Sequence, residues 1–271
     1  MSDILTDLIR ANLALAVGVA AVMLLRRPVA RRLGARAAYM LWAVPPLAAL
    51  ASLLPARTVV MIAPDAAPAP GMAPPLRASA SIEAPLASAA AESIDLAALA
   101  VGVWLAGVAL SLCVLAVQQG CFHRTLGRLT READVFRATG EGVGPALVGI
   151  LWPRIVVPAD FERRFSPAER AVMIAHEQAH LRAGDPLVNA LAAACQCLCW
   201  FNPLVHLAVR RLRIDQELAC DAAVMARHPG ARKPYAEAML KTQGVSWAAP
   251  LACAWRSHPI KERIAMLRAA R

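Results

Sequence analysis

Three long apolar segments constrain the fold of this chain more strongly than any other feature of its sequence. They cover Ile4–Leu25, Ala37–Leu54 and Leu96–Val117. A helix needs about 20 mostly apolar residues to cross a bilayer, and Pro45-Pro46 in the second segment predicts a kink rather than a break. Because 58% of the residues are hydrophobic and 18% are charged, a membrane protein is favoured over a soluble enzyme. We predict a mainly α-helical integral membrane protein with three transmembrane helices.

Arginines between the first two segments predict the orientation in the membrane. Positively charged short loops stay on the cytoplasmic side, which leaves the N-terminus and residues 55–93 outside. Asp7 lies near the start of the first apolar run and the arginines follow it, unlike the order in a cleaved signal peptide, so we expect a retained anchor. The arginines are Arg26, Arg27, Arg31, Arg32 and Arg36.

These features divide the chain into four parts. Residues 1–54 are a two-helix membrane anchor with an arginine-rich cytoplasmic loop. Residues 55–93 are an external loop, rich in proline and alanine, that contains too few large apolar residues to form a core. Residues 94–117 carry the third span, and residues 118–271 form a cytoplasmic domain.

The run His176-Glu177-Gln178-Ala179-His180 predicts a metal site on a helix. Residues four apart lie on one helix face, so both imidazoles can bind one Zn²⁺ ion while Glu177 reaches a water bound to it. This His-Glu-x-x-His arrangement is typical of zinc peptidases. Ser166-Pro167-Ala168-Glu169 predicts the helix start with a capping box, and Gly184 predicts its end. A helix that merely contains two histidines is the alternative.

A catalytic zinc ion needs a third protein ligand and an open position for water. Glu217 and Asp221 lie four residues apart on a second predicted helix, which begins after Asn202-Pro203. Glu217 can be the third ligand, and Asp221 can accept the outward N–H of a ligating histidine and fix its orientation. The alternative is two solvated acids on an arginine-rich helix.

The uncharged run Leu187–Phe201 poses a topological question. Fifteen residues are short for a span, and Glu217 reaches the metal of His176 and His180 only if all three lie on one membrane side. We therefore expect a helix that is buried in the catalytic domain or dips into the inner leaflet. Its alternating cysteines, at 195, 197 and 199, are interpreted as free thiols.

Residues Ala146–Leu151 and Arg154–Val157 predict a small β hairpin with its turn at Trp152-Pro153. In a peptidase, an exposed strand edge beside the zinc can hold an extended substrate through main-chain hydrogen bonds. A packed hairpin without substrate contact is the equal alternative.

The chain resembles the BlaR/MecR-type membrane metallopeptidases, the signal-transducing antirepressors of beta-lactam resistance. The motifs that carry the resemblance are His176-Glu-Gln-Ala-His180, Asp185, Trp200-Phe-Asn-Pro203, Glu217-Leu-Ala-Cys-Asp221 and His258-Pro-Ile-Lys-Glu-Arg-Ile264. The resemblance implies a gluzincin-like zinc peptidase domain on the cytoplasmic side of a bacterial inner membrane. In it, His176, His180 and Glu217 would bind Zn²⁺, Glu177 would be the catalytic base, and Asp185 would orient the site. Asp185 could equally cap the helix that follows it.

The resemblance also implies a protein substrate, either a DNA-binding repressor of the winged-helix type or the chain itself. Members that sense beta-lactams carry an external penicillin-binding domain after a further span, and we expect this chain to lack it. A non-cleaving membrane receptor or scaffold and a constitutive quality-control protease are the alternative functions. Oligomeric state is not predicted.

Two further residues are candidates for stabilising the oxyanion of the reaction. Arg213 and His206 precede Glu217 by four and eleven residues, on roughly the same helix face. An interfacial arginine and a packed histidine are the simpler interpretations.

The net charge of +10 favours contact with the lipid bilayer. Residues 210–271 hold 12 Lys or Arg against 5 Asp or Glu, and anionic lipids of the inner leaflet attract such segments. No zinc-finger spacing or aromatic platform accompanies this charge, so we expect no direct contact with nucleic acid.

Overall fold

Most of the residues that the structure describes are helical. The structure, a computed structural model, describes residues 2–54, 95–141, 144–242, 251–254 and 263–264. The helices are α1 (Ser2–Leu33), α2 (Ala35–Met40), α3 (Val44–Ser52), α4 (Leu96–Leu126), α5 (Phe161–Arg164), α6 (Pro167–Ala183), α7 (Asp185–Leu198), α8 (Pro203–Arg227) and α9 (Arg232–Lys241). The predicted external loop, residues 55–93, lies outside the described residues, as does His258.

Two of the described helices are long and apolar enough to cross a membrane, Asp3–Leu33 and Leu96–Leu126. They correspond to the first and third predicted spans, although α4 continues nine residues beyond the expected end at Val117. The second predicted segment forms α2 and α3, joined by a 3₁₀ turn at Leu41–Ala43. The helical path therefore continues across this region, with Pro45 and Pro46 in the first turn of α3, where they remove no intrahelical hydrogen bond.

The arginine-rich segment that was predicted to be a loop is mostly helical. Helix α1 runs on through Pro28 to Leu33, so Arg26, Arg27, Arg31 and Arg32 are helical. Gly34 alone separates α1 from α2, at φ 90°, a backbone angle that favours glycine. Because the turn is this tight, α2 and α3 fold back along α1. The α-carbon of Pro45 would lie 2.8 Å from a Cβ at position 18, so Gly18 permits this close approach.

The predicted hairpin exists within a larger sheet. The strands are β1 (Leu129–Glu132), β2 (Val135–Ala138), β3 (Ala146–Val148), β4 (Arg154–Val157) and β5 (Cys253–Ala254), in the order β1-β2-β4-β3-β5. Strands β3 and β4 pair antiparallel, with Leu147 opposite Ile155, and β3 ends three residues earlier than expected. Both have a neighbour on each side, which favours the packed hairpin over the alternative of an exposed strand edge.

Helix α6 begins and ends as its sequence predicts. The Ser166 hydroxyl accepts a hydrogen bond from the backbone N–H of Glu169, and the Glu169 carboxylate accepts one from the backbone N–H of Ser166. Gly184 ends the helix in the left-handed conformation, at φ 72°. The Glu169 carboxylate is buried and also binds the ammonium group of Lys241 at 2.7 Å, which ties the start of α6 to α9.

Helix α1 and Trp42 share a hydrophobic core with α7 and α8. Val19 and Val22 of α1 and Trp42 pack with buried side chains of α7 and α8. Arg26 and the Trp42 indole also bind the Asp215 carboxylate of α8, at 2.7 and 2.8 Å. The buried residues contributed by α7 and α8 are Ala192, Ala208, Val209 and Leu212.

We expect Ser166→Ala to lower the melting temperature. Loss of a helix N-cap costs about 1 kcal/mol, which corresponds to a shift of about 2–4 °C for a chain of this size. Ser166→Asp keeps an acceptor at the N-cap and is the matched control. An unchanged melting temperature in Ser166→Ala, measured in the same detergent, would show that the capping box contributes little to α6.

Candidate metal centre

Helices α6 and α8 bring three metal-ligand side chains to one point. His176 Nε2 lies 3.0 Å from His180 Nε2. Glu217 Oε2 lies 3.4 Å from His176 Nε2, and Glu217 Oε1 lies 3.6 Å from His180 Nε2. Around a tetrahedral ion with bonds of 2.0–2.1 Å, ligand atoms are about 3.4 Å apart. The spacing of the three side chains therefore fits a single ion of this size.

Glu177 is buried beside these ligands. Neither carboxylate oxygen has a hydrogen-bond partner among the described residues, although buried polar atoms are normally paired. Burial raises the pKa of this carboxyl group to about 7, because the low-dielectric surroundings disfavour the charged form. A proton acceptor with such a pKa suits general acid–base catalysis near neutral pH.

Asp185 supports His180 from the side opposite the ligand atoms. Its Oδ2 lies 2.6 Å from His180 Nδ1, and its Oδ1 accepts a hydrogen bond from the Tyr39 hydroxyl at 2.6 Å. Gln216 of α8 donates to the same hydroxyl at 3.2 Å. Gly184 is the N-cap of α7 and no side chain caps that helix, so the interpretation of Asp185 as a cap is wrong. A carboxylate on Nδ1 instead fixes the tautomer that leaves Nε2 free to bind metal.

Asp221 and Tyr235 support His176 in the same way. Asp221 Oδ1 lies 3.2 Å from His176 Nδ1. The Tyr235 hydroxyl donates to Asp221 Oδ1 at 2.5 Å and lies 2.7 Å from the same His176 nitrogen. The chain contains two tyrosines, and each donates to one of the two carboxylates behind the histidines.

Arg263 provides positive charge behind the centre. Its side chain is fully buried, forms two 2.7 Å hydrogen bonds to Asp221 and lies 3.1 Å from Glu217 Oε2. Burial alone would raise the pKa of the Glu217 carboxyl group, but Arg263 and the two histidines hold it well below its usual range. Glu217 is therefore ionised, the form that binds a metal cation.

Two cysteine thiols lie on the Asp185 side of His180. Cys220 Sγ is 3.3 Å from His180 Nδ1, and Cys253 Sγ accepts a hydrogen bond from Asn189 at 3.3 Å. His180, Asp185 and Cys253 could form a second, alternative metal-binding group. That group uses Nδ1 of His180, whereas the group with Glu217 uses Nε2. An ion in the first group would have a sulfur ligand from Cys253, and an ion in the second would have only nitrogen and oxygen ligands.

The two predicted oxyanion stabilisers have different positions. His206 is hydrogen-bonded to Gln196 and to the Trp200 carbonyl. It lies eleven residues, or about 16 Å, along α8 from Glu217. This position argues against the predicted role and favours the packed histidine. Arg213 is partly buried one turn before Glu217, so its role stays a prediction.

Sequence reasoning assigned no role to Tyr39, Tyr235 or Arg263. Arg263 belongs to the quoted motif His258–Ile264, which signalled a role without indicating which residue it supports. Neither tyrosine stands in a recognisable motif, and Tyr39 precedes Asp185 by 146 residues. Only the folding of α2 against α8 brings this side chain to the centre.

Comparison with known proteins identifies the family of this chain. The family model for the BlaR1 peptidase M56 matches residues 6–267, so the chain belongs to this metallopeptidase family. The regulatory protein BlaR1 of Bacillus licheniformis is 32% identical over 81 residues, which are 30% of this chain and 13% of that protein. The methicillin resistance mecR1 proteins of Staphylococcus aureus and Staphylococcus epidermidis are 29% identical over 100 residues.

These matches confirm the resemblance to BlaR/MecR-type proteins. The aligned residues of the mecR1 proteins make up 36% of this chain and 17% of theirs. The chain therefore matches less than a fifth of the length of these curated relatives.

We expect Arg263→Met to destabilise the protein strongly. Removal of one partner from a buried ion pair costs about 3–5 kcal/mol, because the remaining charge is left uncompensated. Thermal unfolding in detergent, with metal removed by a chelator, measures this loss. Arg163→Met is the control, since that arginine is 73% exposed in its ion pair with Glu141. Equal melting temperatures for the two variants would contradict the importance of the Arg263 ion pairs.

We expect Tyr39→Phe to weaken zinc binding by about tenfold, because mutation of the groups that orient metal ligands costs 10–100-fold in affinity. In this variant Asp185 loses the hydrogen bond from the Tyr39 hydroxyl, so Asp185 holds the His180 ring less firmly in its orientation. Competition with a chromophoric chelator measures the affinity. Trp42→Phe removes a comparable hydrogen bond to Asp215, a carboxylate that supports neither histidine, and should leave the affinity unchanged. Equal affinities in all three proteins would exclude a role of Tyr39 in metal binding.

Proposed function

We propose that this chain is a membrane-bound zinc endopeptidase that acts in signal transduction, with a cytoplasmic repressor-like protein, itself or both as substrate. One observation carries the proposal: His176, His180 and Glu217 converge at the spacing of a tetrahedral zinc ion, beside a buried Glu177. Two nitrogen ligands and one oxygen ligand, with a fourth position for water, are the donor set of catalytic zinc peptidases. Membership of a metallopeptidase family supports the same conclusion.

The chemistry follows from the positions of the protein groups. When bound, zinc supplies Lewis acidity that polarises the scissile carbonyl and makes a bound water more acidic. Glu177 accepts the proton of the attacking water and transfers it to the leaving amine. Asp185 and Asp221 hold the two imidazoles in the tautomer that exposes Nε2, and Arg263 keeps Glu217 ionised.

The regulatory role rests on the relatives and on the charge pattern. The similar proteins are a regulatory protein and methicillin resistance proteins. The arginines at the end of α1 favour a cytoplasmic position for that end. Asp185 and Asp215 contact residues near that end, namely Tyr39, Arg26 and Trp42, which supports a cytoplasmic position for the centre. A cytoplasmic protein can therefore be a substrate.

The decisive experiment compares the wild-type chain with Glu177→Gln. The purified wild-type protein should hold about one zinc per chain, His176→Ala and Glu217→Ala should lose it, and Glu177→Gln should keep it. Loss of a general base lowers the rate by about 10²–10⁴-fold. Profiling of new protein N-termini in cells that express either form then identifies the substrates.

The number of substrates separates the possible functions. One or two cleaved proteins, absent with Glu177→Gln, support a regulatory protease, whereas many indicate quality control. Identical N-termini and identical signalling with both forms, despite bound zinc, would favour the non-cleaving receptor and contradict the proposal.

A further inference from the structure

Helices α7 and α8, together with the corner that joins them, carry several exposed large apolar side chains. We define the α7–α8 corner as residues 198–202, between the two helices. No Asp, Glu, Lys or Arg occurs from residue 187 to residue 209. Leu187, Leu191 and Phe201 are 50%, 60% and 46% exposed, and Leu198, Leu204 and Leu207 are exposed as well. Contiguous exposed apolar patches mark contact with a membrane or another protein.

The corner is attached to the candidate span α4. The indole N–H of Trp104 donates to the carbonyl of Leu198 at 2.8 Å, and the indole N–H of Trp200 donates to the carbonyl of Trp104 at 3.3 Å. The Trp200 ring lies against the α4 backbone, because a Cβ at Gly107 would be 2.1 Å from its Cε2 atom. Trp104 lies about 12 Å from the start of α4 at Leu96.

The corner is also attached to the candidate span α1, at a similar depth. The Asn202 side chain donates to the side-chain oxygen of Asn12 at 2.8 Å. Asn12 lies about 15 Å from the start of α1 at Ser2. The hydrocarbon core of a bilayer is about 30 Å thick, so two independent helices place the corner near its middle.

The start of α7 and the middle of α8 lie near the arginine-rich end of α1. Asp185, at the start of α7, contacts Tyr39, and Asp215 of α8 contacts Arg26. The path along α7 from Asp185 to Leu198 covers about 20 Å, and the path along α8 from Pro203 to Asp215 covers about 18 Å. Both helices therefore extend from the base of the metal centre to the corner.

Polar groups at the corner are satisfied by the protein itself. The carbonyl of Leu198 accepts from Trp104, and the carbonyl of Trp200 accepts from His206 Nε2 at 2.9 Å. His206 Nδ1 then accepts from Gln196 at 3.1 Å, and Asn202 accepts from the backbone N–H of Leu204. Irregular backbone is tolerated at membrane depth only where its polar groups are paired in this way. A corner exposed to water would not need these bonds.

We propose that α7 and the first three turns of α8 form a re-entrant helical hairpin. The hairpin enters the bilayer from the arginine-rich side, turns near the middle at residues 198–202 and returns on the same side. Its exposed apolar face contacts lipid acyl chains. His176, His180 and Glu217 stay on one side of the membrane, with the metal centre at the base of the hairpin. This arrangement is independent of peptidase activity.

Photo-crosslinking of the full chain in phosphatidylethanolamine–phosphatidylglycerol vesicles tests the proposal. Benzoylphenylalanine replaces Leu191 or Phe201, and mass spectrometry detects the adducts. Leu110, which is exposed on α4, is the positive control for lipid contact, and Leu240, which is exposed on α9, is the negative control. We expect lipid adducts at 191 and 201 with a yield that matches Leu110, and none at 240.

Two results would overturn the proposal. Absence of lipid adducts at 191 and 201, with adducts at 110, places the face in water. Crosslinks from 191 and 201 to a second copy of the chain, in place of lipid, make the face a protein interface. Because the photoreactive group itself could disturb folding, only variants that keep the wild-type zinc content and melting temperature are compared, and Leu187 is the substitute position.

Discussion

The structure of the candidate metal centre depends on pairing the buried charges of its carboxylates. Three carboxylates, from Asp185, Glu217 and Asp221, are buried within hydrogen-bond distance of two imidazoles or close to it. Among the described residues, Arg263 is the cation that pairs with Glu217 and Asp221. Buried charges are costly unless they are paired. A divalent cation between the histidines and Glu217 would balance the remaining negative charge.

The same requirement explains the two tyrosines. Tyr39 and Tyr235 each give a hydroxyl hydrogen bond to the carboxylate behind one histidine. Tyr235 comes from α9, whereas Tyr39 comes from α2 in the N-terminal part of the chain. The hydrogen-bonded support of His180 therefore extends into the N-terminal helices. Trp42 and Arg26, which bind Asp215 two residues before Glu217, fix α8 to the same N-terminal helices.

Local signals predicted the elements that carry the centre. The capping box at Ser166 and the glycine at 184 defined α6, and a helical spacing of four residues placed both histidines on one face. The second helix with Glu217 followed from Asn202-Pro203. The three zinc ligands converge, as expected. That Leu187–Phe201 does not cross the bilayer stays a prediction.

The local sequence signals did not predict the contacts between distant parts of the chain. The sheet combines β3 and β4 with short strands that carry weak patterns, and β5 consists of two residues. The arginines after the first apolar run were expected in a loop, yet helix α1 continues through them, because arginine favours helix and Pro28 alone does not end it. Tyr39 reaches Asp185 only after α2 folds back at Gly34. Such contacts depend on packing, which a single sequence does not reveal.

The most direct test of the central claim is zinc K-edge X-ray absorption of the purified chain. Zinc bound by His176, His180 and Glu217 has nitrogen and oxygen neighbours at about 2.0–2.2 Å and no sulfur neighbour. We expect that spectrum, with two imidazole rings in the outer scattering. A sulfur shell at about 2.3 Å would place the ion on the other side of His180, with Cys253 as a ligand, and would exclude the centre formed with Glu217.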